Sequence, residues 1–387
     1  MEFINVKLSD IGEVVGGSTP STKNPDNYDG DIAWITPRDL AGYNKVYISR
    51  GERNITEAGF KSCSTKMLPK NSVLFSSRAP IGYVAISEID LCTNQGFKSI
   101  IPNEKIDYKF LYYLLKHNKD YIASKGSGST FKEVSGSVMK GIELSIPKEI
   151  SDQRRISKLL FDIDKKIELN NEINNNLFDL GRTYFEEFIS NCDEEVAIKD
   201  IADEVLDYTK NNNDKVKLLN SSDITENIFP KVEFIDNKDL KGHFKKRFKK
   251  YDILYSQIRP RNHHYGYVLL DDSENYLAST RFMVVRNKKE KVSSSLLYYY
   301  LTSKNAVEDF TTKTELRSGT FPQGNYEDLS SYVIRYSSNQ ELITKILDSI
   351  LETINNNNNE NEKLVELRDT LLPKLMNGEI DLDNIEI

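Results

Sequence analysis

The strongest constraint on the fold is a helical pattern that occurs twice in the chain. Core positions recur at alternating steps of four and three residues from Ile156 to Phe188, and again 187 residues later from Ile343 to Leu375. This spacing is the a/d repeat of a coiled coil, and the asparagine pair in the middle of each series fixes register at some cost in stability. The pattern predicts two long helices, at residues 151–190 and 338–376, that pair with each other. The predicted core positions are Ile156, Leu160, Ile163, Ile167, Asn170, Asn174 and Leu177 in the first helix, and Ile343, Leu347, Ile350, Ile354, Asn357, Asn361 and Leu364 in the second.

The rest of the chain is duplicated as well. Matching segments occur in the same order at offsets of 180 to 190 residues, so we interpret the chain as a tandem repeat of one module, a globular domain followed by a long helix. The clearest matches are VKLSDIGEVV from Val6 with VAIKDIADEV from Val196, AWITPRDL from Ala33 with KLLNSSDI from Lys217, SVLFSSR from Ser72 with DILYSQIR from Asp252, and FLYYLL from Phe110 with LLYYYL from Leu296.

The globular domains have the signals of a mixed α+β fold. Short apolar runs bounded by Gly, Pro, Asn and Ser predict strands at 31–36, 72–75, 83–86 and 97–101. A tyrosine-rich segment with helical period predicts a helix at 107–117, with its copy at 294–304. The predicted globular domains are residues 1–150 and 195–336, and residues 377–387 form a carboxy-terminal tail.

Composition limits the class of protein. A chain of 387 residues suits two domains, and it has no apolar run long enough to cross a membrane and no hydrophobic signal segment at its start. Three widely spaced cysteines favour a reducing, cytoplasmic location. The net charge of −7 argues mildly against nucleic-acid binding, but residues 238–261 form a local basic stretch that is compatible with it.

No catalytic constellation stands out. The segment GSGSTF from Gly126 lacks the Gly-Lys-Ser/Thr that a phosphate-binding loop needs, and the four histidines have no partner at zinc-ligand spacing. The chain has no Pro-Pro pair and no glycine-rich loop suited to S-adenosylmethionine. Asp164 and Lys166 have nuclease-like spacing but fall on the predicted coiled coil, where they are more simply its solvated face.

Polar and basic residues on loops are the remaining candidates, and they occur once in each repeat. Arginine reads guanine with two hydrogen bonds and glutamine reads adenine, while serine, threonine and lysine favour phosphates. Arg78 lies in the SSRAPIG turn, and Gln257, Arg259 and Arg261 occupy the matching turn of the second repeat. The alternative for Arg78 is an ordinary turn residue held by a salt bridge.

Longer motifs resemble a known family, the DNA-specificity subunits of type I restriction-modification systems. The resemblance covers nearly the full chain. It rests on GGSTPSTKNPDNYDGDIAWITPRDL from Gly16, LPKNSVLFSSRAPIGYVAI from Leu68, NQGFKSI from Asn94, GSGSTFKEVS from Gly126, IPKEISDQRRI from Ile146 and LRDTLLPKLMNGEIDL from Leu367.

The resemblance implies that each globular domain is a target-recognition domain and that the long helices form an antiparallel coiled coil on which modification subunits dock. The expected function is recognition of a bipartite, asymmetric double-stranded DNA target, without catalysis by this chain. S-adenosylmethionine, ATP and Mg would belong to two modification subunits and to restriction or translocase subunits. The second domain departs from the family pattern at Ser256–Pro260, which fits two domains that read different sequences.

The full set of candidate DNA contacts follows from these loops and their repeat counterparts. The alternative function is a structural adaptor whose duplicated domains bind protein or glycan; a single-chain methyltransferase or nuclease is the least favoured. The candidates are Thr19, Ser21, Lys23, Arg38, Ser76, Ser77, Arg78, Gln95, Lys98, Ser129 and Thr130 in the first repeat, and Lys245, Lys246, Arg247, Gln257, Arg259, Arg261, His263, Arg281, Arg317 and Thr320 in the second.

Overall fold

The chain folds into two compact units, each of which contains one globular domain and parts of both long helices. The structure, a computed structural model, describes residues 1–128, 132–240, 242–288, 291–316 and 323–380. Unit 1 comprises Met1–Leu169 and the segment that begins at Lys363, and unit 2 comprises Asn170–Glu362. The boundaries between the two compact units therefore fall within the long helices. The domain boundaries predicted from the sequence lie at the helix ends instead.

The first repeat contains ten strands and six helices within the described residues. Its strands are β1 (Phe3–Lys7), β2 (Gly12–Gly16), β3 (Tyr28–Ile32), β4 (Trp34–Ile35), β5 (Tyr47–Ile48), β6 (Val73–Ser77), β7 (Ile81–Ser87), β8 (Cys92–Thr93), β9 (Lys98–Pro102) and β10 (Glu143–Pro147). Its helices are α1 (Leu8–Ile11), α2 (Glu57–Lys61), α3 (Tyr108–His117), α4 (Lys119–Ser124), α5 (Gly136–Gly141) and α6 (Ile150–Ser190).

The second repeat follows the same plan. Its strands are β11 (Glu194–Ala197), β12 (Ala202–Glu204), β13 (Lys215–Leu219), β14 (Ile235–Asp236), β15 (Phe244–Lys246), β16 (Ile253–Ser256), β17 (Tyr265–Tyr267), β18 (Tyr276–Ser279), β19 (Phe282–Asn287) and β20 (Val333–Tyr336). Its helices are α7 (Ile198–Ile201), α8 (Ser294–Leu301), α9 (Lys304–Glu315), α10 (Tyr326–Ser330) and α11 (Glu341–Met376).

The strand pairing confirms the duplication. In unit 1 the strand order β2-β9-β6-β7-β5 forms one sheet, and in unit 2 the order β12-β19-β16-β17 reproduces its first four strands. A parallel pair follows in both units, β4 with β8 and β13 with β18. The first and last strands of each globular domain also pair, β1 with β10 and β11 with β20. The α+β prediction is therefore confirmed, strand by strand, at the four predicted strand positions.

Each long helix is attached to its globular domain by an equivalent glutamine. The Gln153 side chain accepts a hydrogen bond from the backbone N–H of Asp107 at 2.9 Å, and Asp107 in turn caps α3. Gln340 accepts from the backbone N–H of Ser293, the residue that caps α8, at 3.2 Å. A glutamine at the amino-terminal end of each long helix thus accepts a hydrogen bond from a backbone donor at the start of another helix, which links the two elements.

The two long helices pack together, as the heptad pattern predicts. In unit 1, Ile156, Leu160 and Ile163 of α6 are buried, and the core that includes Ile156 and Leu160 also holds Leu372 and Leu375 of α11. In unit 2, the corresponding core holds Phe185 of α6 with residues of α11 such as Leu347. The first residues of one helix thus share a core with the last residues of the other, so the pairing is antiparallel.

The central asparagines hydrogen-bond across the helix pair in unit 2. Asn170 donates to the side-chain oxygen of Asn361 at 2.9 Å, and Asn357 donates to that of Asn174 at 2.7 Å. Asn174 donates in turn to Asn358 at 2.9 Å. The asparagine run at 355–359 is continuous helix within α11, because each core amide finds a partner on the facing helix. Among the other predicted core positions, Ile343, Ile350 and Ile354 are buried, whereas Ile167, Leu177 and Leu364 are half-buried.

Two details differ from the sequence prediction. The predicted helix at 294–304 ends at Leu301, because Ser303 caps a separate helix, α9, by accepting from the backbone N–H of Ala306. The second long helix begins at Glu341 rather than at residue 338 and passes through Pro373 to end at Met376. Pro373 has no backbone N–H to donate to the carbonyl of Asp369, so α11 loses one hydrogen bond in its last turn.

Candidate nucleic-acid interface

Four loops of unit 1 converge at one edge of its sheet. The backbone N–H of Ser77 donates to the carbonyl of Gly96 at 2.7 Å, and that of Val134 donates to the carbonyl of Ser77 at 3.0 Å. Gly96 packs so closely on Pro37 that a side chain there would overlap the proline ring. These contacts bring the loops around residues 37, 78, 95 and 133 together.

Arg78 and Lys98 share one carboxylate in this loop cluster. The Arg78 guanidinium lies 3.6 Å from Glu133, and the Lys98 ammonium group lies 3.3 Å from the same side chain. Arg78 is about a third exposed, whereas Lys98 is mostly buried. The carboxylate holds both cations in place before any ligand arrives, and only Arg78 extends far enough into solvent to reach one.

The remaining candidates of unit 1 surround this cluster. The Thr19 hydroxyl hydrogen-bonds the exposed side chain of Gln95, so the two act as one polar pair. Arg38 is highly exposed and lies 3.8 Å from Glu52, a contact that contributes little in solvent. Ser21 and Lys23 are exposed on the neighbouring loop, and Lys23 has no ion-pair partner among the described residues.

Unit 2 builds a chemically different cluster at the equivalent edge. The backbone N–H of Gln257 donates to the carbonyl of Arg281, and its side-chain oxygen accepts from Gln323 at 2.8 Å. Phe244, next to Lys245, pairs with Ser279, two residues before Arg281. Three segments, at 244–247, 257–263 and 279–281, thus lie side by side.

The cations of this second cluster differ in their bonding. Arg261 pairs with Glu315 at 3.2 Å, and the His263 ring accepts or donates a hydrogen bond at 2.8 Å to Glu226. Lys245, Arg259 and Arg281 are exposed and have no ion-pair partner in the described part of the chain. Arg247 is half-buried. An exposed cation without an ion-pair partner breaks no existing contact when it binds a phosphate. This edge of the unit 2 sheet is therefore suited to binding a polyanion.

Comparison with known proteins decides the family. A family model described as the type I restriction modification DNA specificity domain matches residues 2–178 and, a second time, residues 194–366. The chain belongs to this family.

One relative matches the chain over nearly its full length, and another matches about a third of it. It is 32% identical to the specificity subunit of the type I restriction enzyme MjaIX of Methanocaldococcus jannaschii, over 98% of this chain and 94% of that protein. It is 40% identical to the HindI specificity subunit of Haemophilus influenzae over 35% of this chain and 29% of that subunit. The crystal structure of the S subunit of a type I restriction-modification system from M. genitalium shares the fold, with a TM-score of 0.64, 14% identity and coverage of 97% and 96% of the two chains.

Three predicted DNA contacts of this family member are wrong. Ser76 and Ser77 are fully buried in β6, where their hydroxyls donate to the carbonyls of Pro80 and Gly96. Lys246 is also buried, and its ammonium group bonds Glu204 at 2.9 Å and the carbonyl of Phe282 at 2.6 Å. These polar groups are satisfied inside the unit, so they cannot extend to a groove of DNA.

Four predicted contacts fall outside the described residues, and two residues of the site were not predicted. The predicted contacts Ser129, Thr130, Arg317 and Thr320 lie outside the described residues. Sequence reasoning missed Glu133 and Gln323, which hold Arg78 and Gln257 in position. The position of Glu133 two residues after GSGSTF gave no signal of a partnership with Arg78, since the two are 55 residues apart in the chain.

The structure also bears on metals and membranes. No group of three or more His, Cys, Asp or Glu side chains is arranged to hold a metal ion within the described residues. No helix in the described part of the chain combines the length and apolar character needed to cross a membrane.

Proposed function

We propose that this chain reads a bipartite, asymmetric double-stranded DNA target, with one half-site bound by each repeat. The observation that carries the proposal is the pair of unlike loop clusters at equivalent sheet edges. Unit 1 places Arg78, which is about a third exposed, beside a Thr-Gln pair, with the exposed Arg38 and Lys23 on neighbouring loops. Unit 2 instead places three exposed cations beside a Gln-Gln pair. Different donors and acceptors at equivalent places favour different base sequences.

The paired helices set the separation of the two half-sites in this proposal. Hydrogen-bonded asparagines in their middle favour one register, and a fixed register gives a fixed length of DNA that is not read. One heptad is about 10 Å of helix, which corresponds to about three base pairs at 3.4 Å per base pair.

The chemistry belongs to partner subunits in this account. The chain acts as a non-catalytic subunit in the cytoplasm, and two modification subunits dock on the paired helices and bind S-adenosylmethionine. Restriction or translocase subunits would supply ATP- and Mg-dependent steps. The family membership supports this assignment, since the matched relatives are named as specificity subunits.

Methylome sequencing of a host that carries the chain with its modification subunits tests the proposal. We expect a single methylated motif with two unlike halves and an unread gap. Deleting residues 169–175 together with 357–363 preserves the a/d spacing on both helices and removes both asparagine pairs. This deletion should shorten the gap by about three base pairs. A contiguous motif, or an unchanged gap, would contradict the proposal.

The adaptor alternative makes a different prediction. A protein- or glycan-binding adaptor should retain little DNA on a filter, with no systematic dependence on salt. A specificity subunit should bind random DNA with an affinity that falls steeply as salt rises, because phosphate contacts release counterions.

A further inference from the structure

Unit 2 contains a cavity between α11 and the globular domain. Its volume is about 410 Å³, and its lining includes Tyr251, Tyr267, Thr344, Asp348 and Glu352. The two carboxylates are one helical turn apart on α11 and therefore face the same side. Neither has a hydrogen-bond or ion-pair partner among the described residues.

The equivalent place in unit 1 is filled. By the 187-residue offset, Asp348 corresponds to Phe161 and Glu352 to Lys165. The Phe161 ring packs edge-on against Tyr47, with centroids 5.9 Å apart, and the ammonium group of Lys109 lies 3.8 Å from the Phe161 centroid. Unit 1 thus places its own lysine over an aromatic ring here. In unit 2 the residue aligned with Lys109 is Ser295, which supplies no charge.

Two hydroxyl groups at the cavity wall, of which that of Thr344 is buried, have no hydrogen-bond partner within the described residues. Tyr267 is 3% exposed and lines the cavity, and its hydroxyl has no hydrogen-bond partner within the described residues. The Thr344 hydroxyl, also at the cavity wall, is buried without a partner there. Burial raises the pKa of Tyr267, and the nearby Asp348 and Glu352 carboxylates raise it further, so this wall is acceptor-rich and negative.

One lysine, Lys291, lines the cavity, and a second, Lys250, directly precedes the lining residue Tyr251. The Lys250 ammonium group pairs with Asp271 at 2.6 Å, and that of Lys291 lies 5.7 Å from the ring centroid of Tyr336. The carboxylates exclude a phosphate and hence DNA. Two tyrosine rings and two carboxylates are suited to a cation with an apolar stem, which is the chemistry of a lysine or arginine side chain.

We propose that this cavity receives a basic side chain of a modification subunit and is one anchor of that subunit on α11. The inference rests on the proposed function, because it names part of the surface on which the partner docks. It also makes the two repeats unequal as docking sites, since unit 1 fills the same place with its own Lys109.

The test measures binding of the purified modification subunit to the full-length chain by isothermal titration calorimetry. Asp348→Asn with Glu352→Gln should weaken binding by about tenfold or more, because a buried cation would lose its counter-charge. Glu341→Gln removes a charge from the same helix outside the cavity and should change the affinity by less than about twofold. Asp348→Phe, which introduces the unit 1 residue, should weaken binding as well.

The outcomes separate this inference from the proposed function. If the wild-type chain forms the complex and the double variant binds with unchanged affinity, the cavity proposal is overturned and the specificity function stands. Equal losses of affinity in the double variant and in Glu341→Gln would also overturn it, because the loss would then result from the change in net charge and not from the cavity. A wild-type chain that binds no modification subunit would overturn both proposals. If spermidine binds the cavity of the wild-type chain and the variants still bind the modification subunit with unchanged affinity, the cavity proposal is overturned and the cavity is a site for a small polyamine.

Discussion

The guanidinium group of Arg368 lies 2.6 Å from the carboxylate of Asp164, across the two long helices of unit 1. The hydroxyl of Tyr113 donates to the other oxygen of that carboxylate at 2.7 Å. Both members of the ion pair are largely buried, with 15% and 8% of their side chains exposed, so the prediction that Asp164 lies on the solvated face of the coiled coil is wrong. Both oxygens of the acid are therefore satisfied, one by the tyrosine on α3 and one by the arginine on α11.

The same place in unit 2 is apolar. The residues aligned with Asp164 and Arg368 are Leu351 and Gly181, and Tyr299 stands where Tyr113 does. Leu351 is fully buried, and Tyr299 packs so closely on Gly181 that a Cβ atom there would overlap its hydroxyl. The two ends of the helix pair are thus held by different chemistry.

Arg368→Met should destabilise unit 1 strongly. The substitution leaves Asp164 buried without its counter-ion, which typically costs about 3–5 kcal/mol of unfolding free energy. Asp164→Leu combined with Arg368→Met should recover most of that loss, because an apolar pair replaces a buried ion pair at little cost. Urea unfolding followed by circular dichroism measures both values. Arg154→Gln, a change at an exposed position of α6, is the control, and an equal loss of stability there would refute the assignment.

Tyr299→Phe should not destabilise unit 2, and we expect a gain of up to about 1 kcal/mol. The Tyr299 hydroxyl is buried and has no hydrogen-bond partner in the described part of the chain, so its removal relieves an unsatisfied polar group. The change also makes room at Gly181. In the Tyr299→Phe background, Gly181→Ala should be tolerated and gain helix propensity, whereas alone it should cost about 1–3 kcal/mol from overpacking. Thermal unfolding of the four chains checks this, and equal effects of Gly181→Ala in both backgrounds would contradict the contact.

Replacing the Asn174–Asn357 pair by leucine should raise stability but loosen register. Each asparagine loses a hydrogen-bonded partner in the single variants, so Asn174→Leu or Asn357→Leu alone should be less stable than the double variant. The double variant should gain about 1–2 kcal/mol, because apolar core positions favour helix pairing. Electron-spin distance measurements between labels on the two helices should show a broader distribution in the double variant. An unchanged, narrow distribution would show that the asparagines do not fix register.

Arg78 and Glu133 should have opposite effects on DNA affinity. Arg78→Gln should weaken binding of the recognised sequence by about 1–3 kcal/mol, as expected for a base- or phosphate-contacting arginine. Glu133→Gln should strengthen binding to random DNA and steepen its salt dependence, because Arg78 and Lys98 lose the carboxylate that neutralises them. Fluorescence anisotropy at several salt concentrations measures both. Lys61→Gln, on exposed helix α2, is the control, and a loss of affinity on Glu133→Gln would count against the interface.

The long helices were predictable because their signal is local and periodic. A stripe of core residues at steps of four and three can be recognised without knowledge of the rest of the fold. The asparagines lie at the centre of both stripes, so they are expected to face each other when the helices pair. The tandem repeat allowed the same reasoning for the strands. It also located Gln153 and Gln340 at equivalent places, although their role as links to α3 and α8 emerges only from the structure.

The individual DNA contacts were less predictable because exposure depends on distant residues. Ser76 and Ser77 look like loop serines in the sequence, but both belong to β6, and every residue of that strand is buried. Lys246 lies in a basic stretch, yet Glu204, which is 42 residues earlier, draws it into the core. Packing of the sheet and ion pairing between distant residues determine that these side chains are buried, and neither can be read from the local sequence.

The contrast between Arg368 and Gly181 affects what recombination can produce from this gene. A chain assembled from two copies of the first repeat would place Gly181 opposite Asp164 at both ends of the helix pair, and each acid would retain its tyrosine but lose its arginine. Two copies of the second repeat would bring Arg368 against Leu351 and leave a cation buried without an acid. The duplicated halves are therefore complementary at this place rather than interchangeable, and we expect an exchange of recognition loops to preserve the helix pair and an exchange of helices to disrupt it.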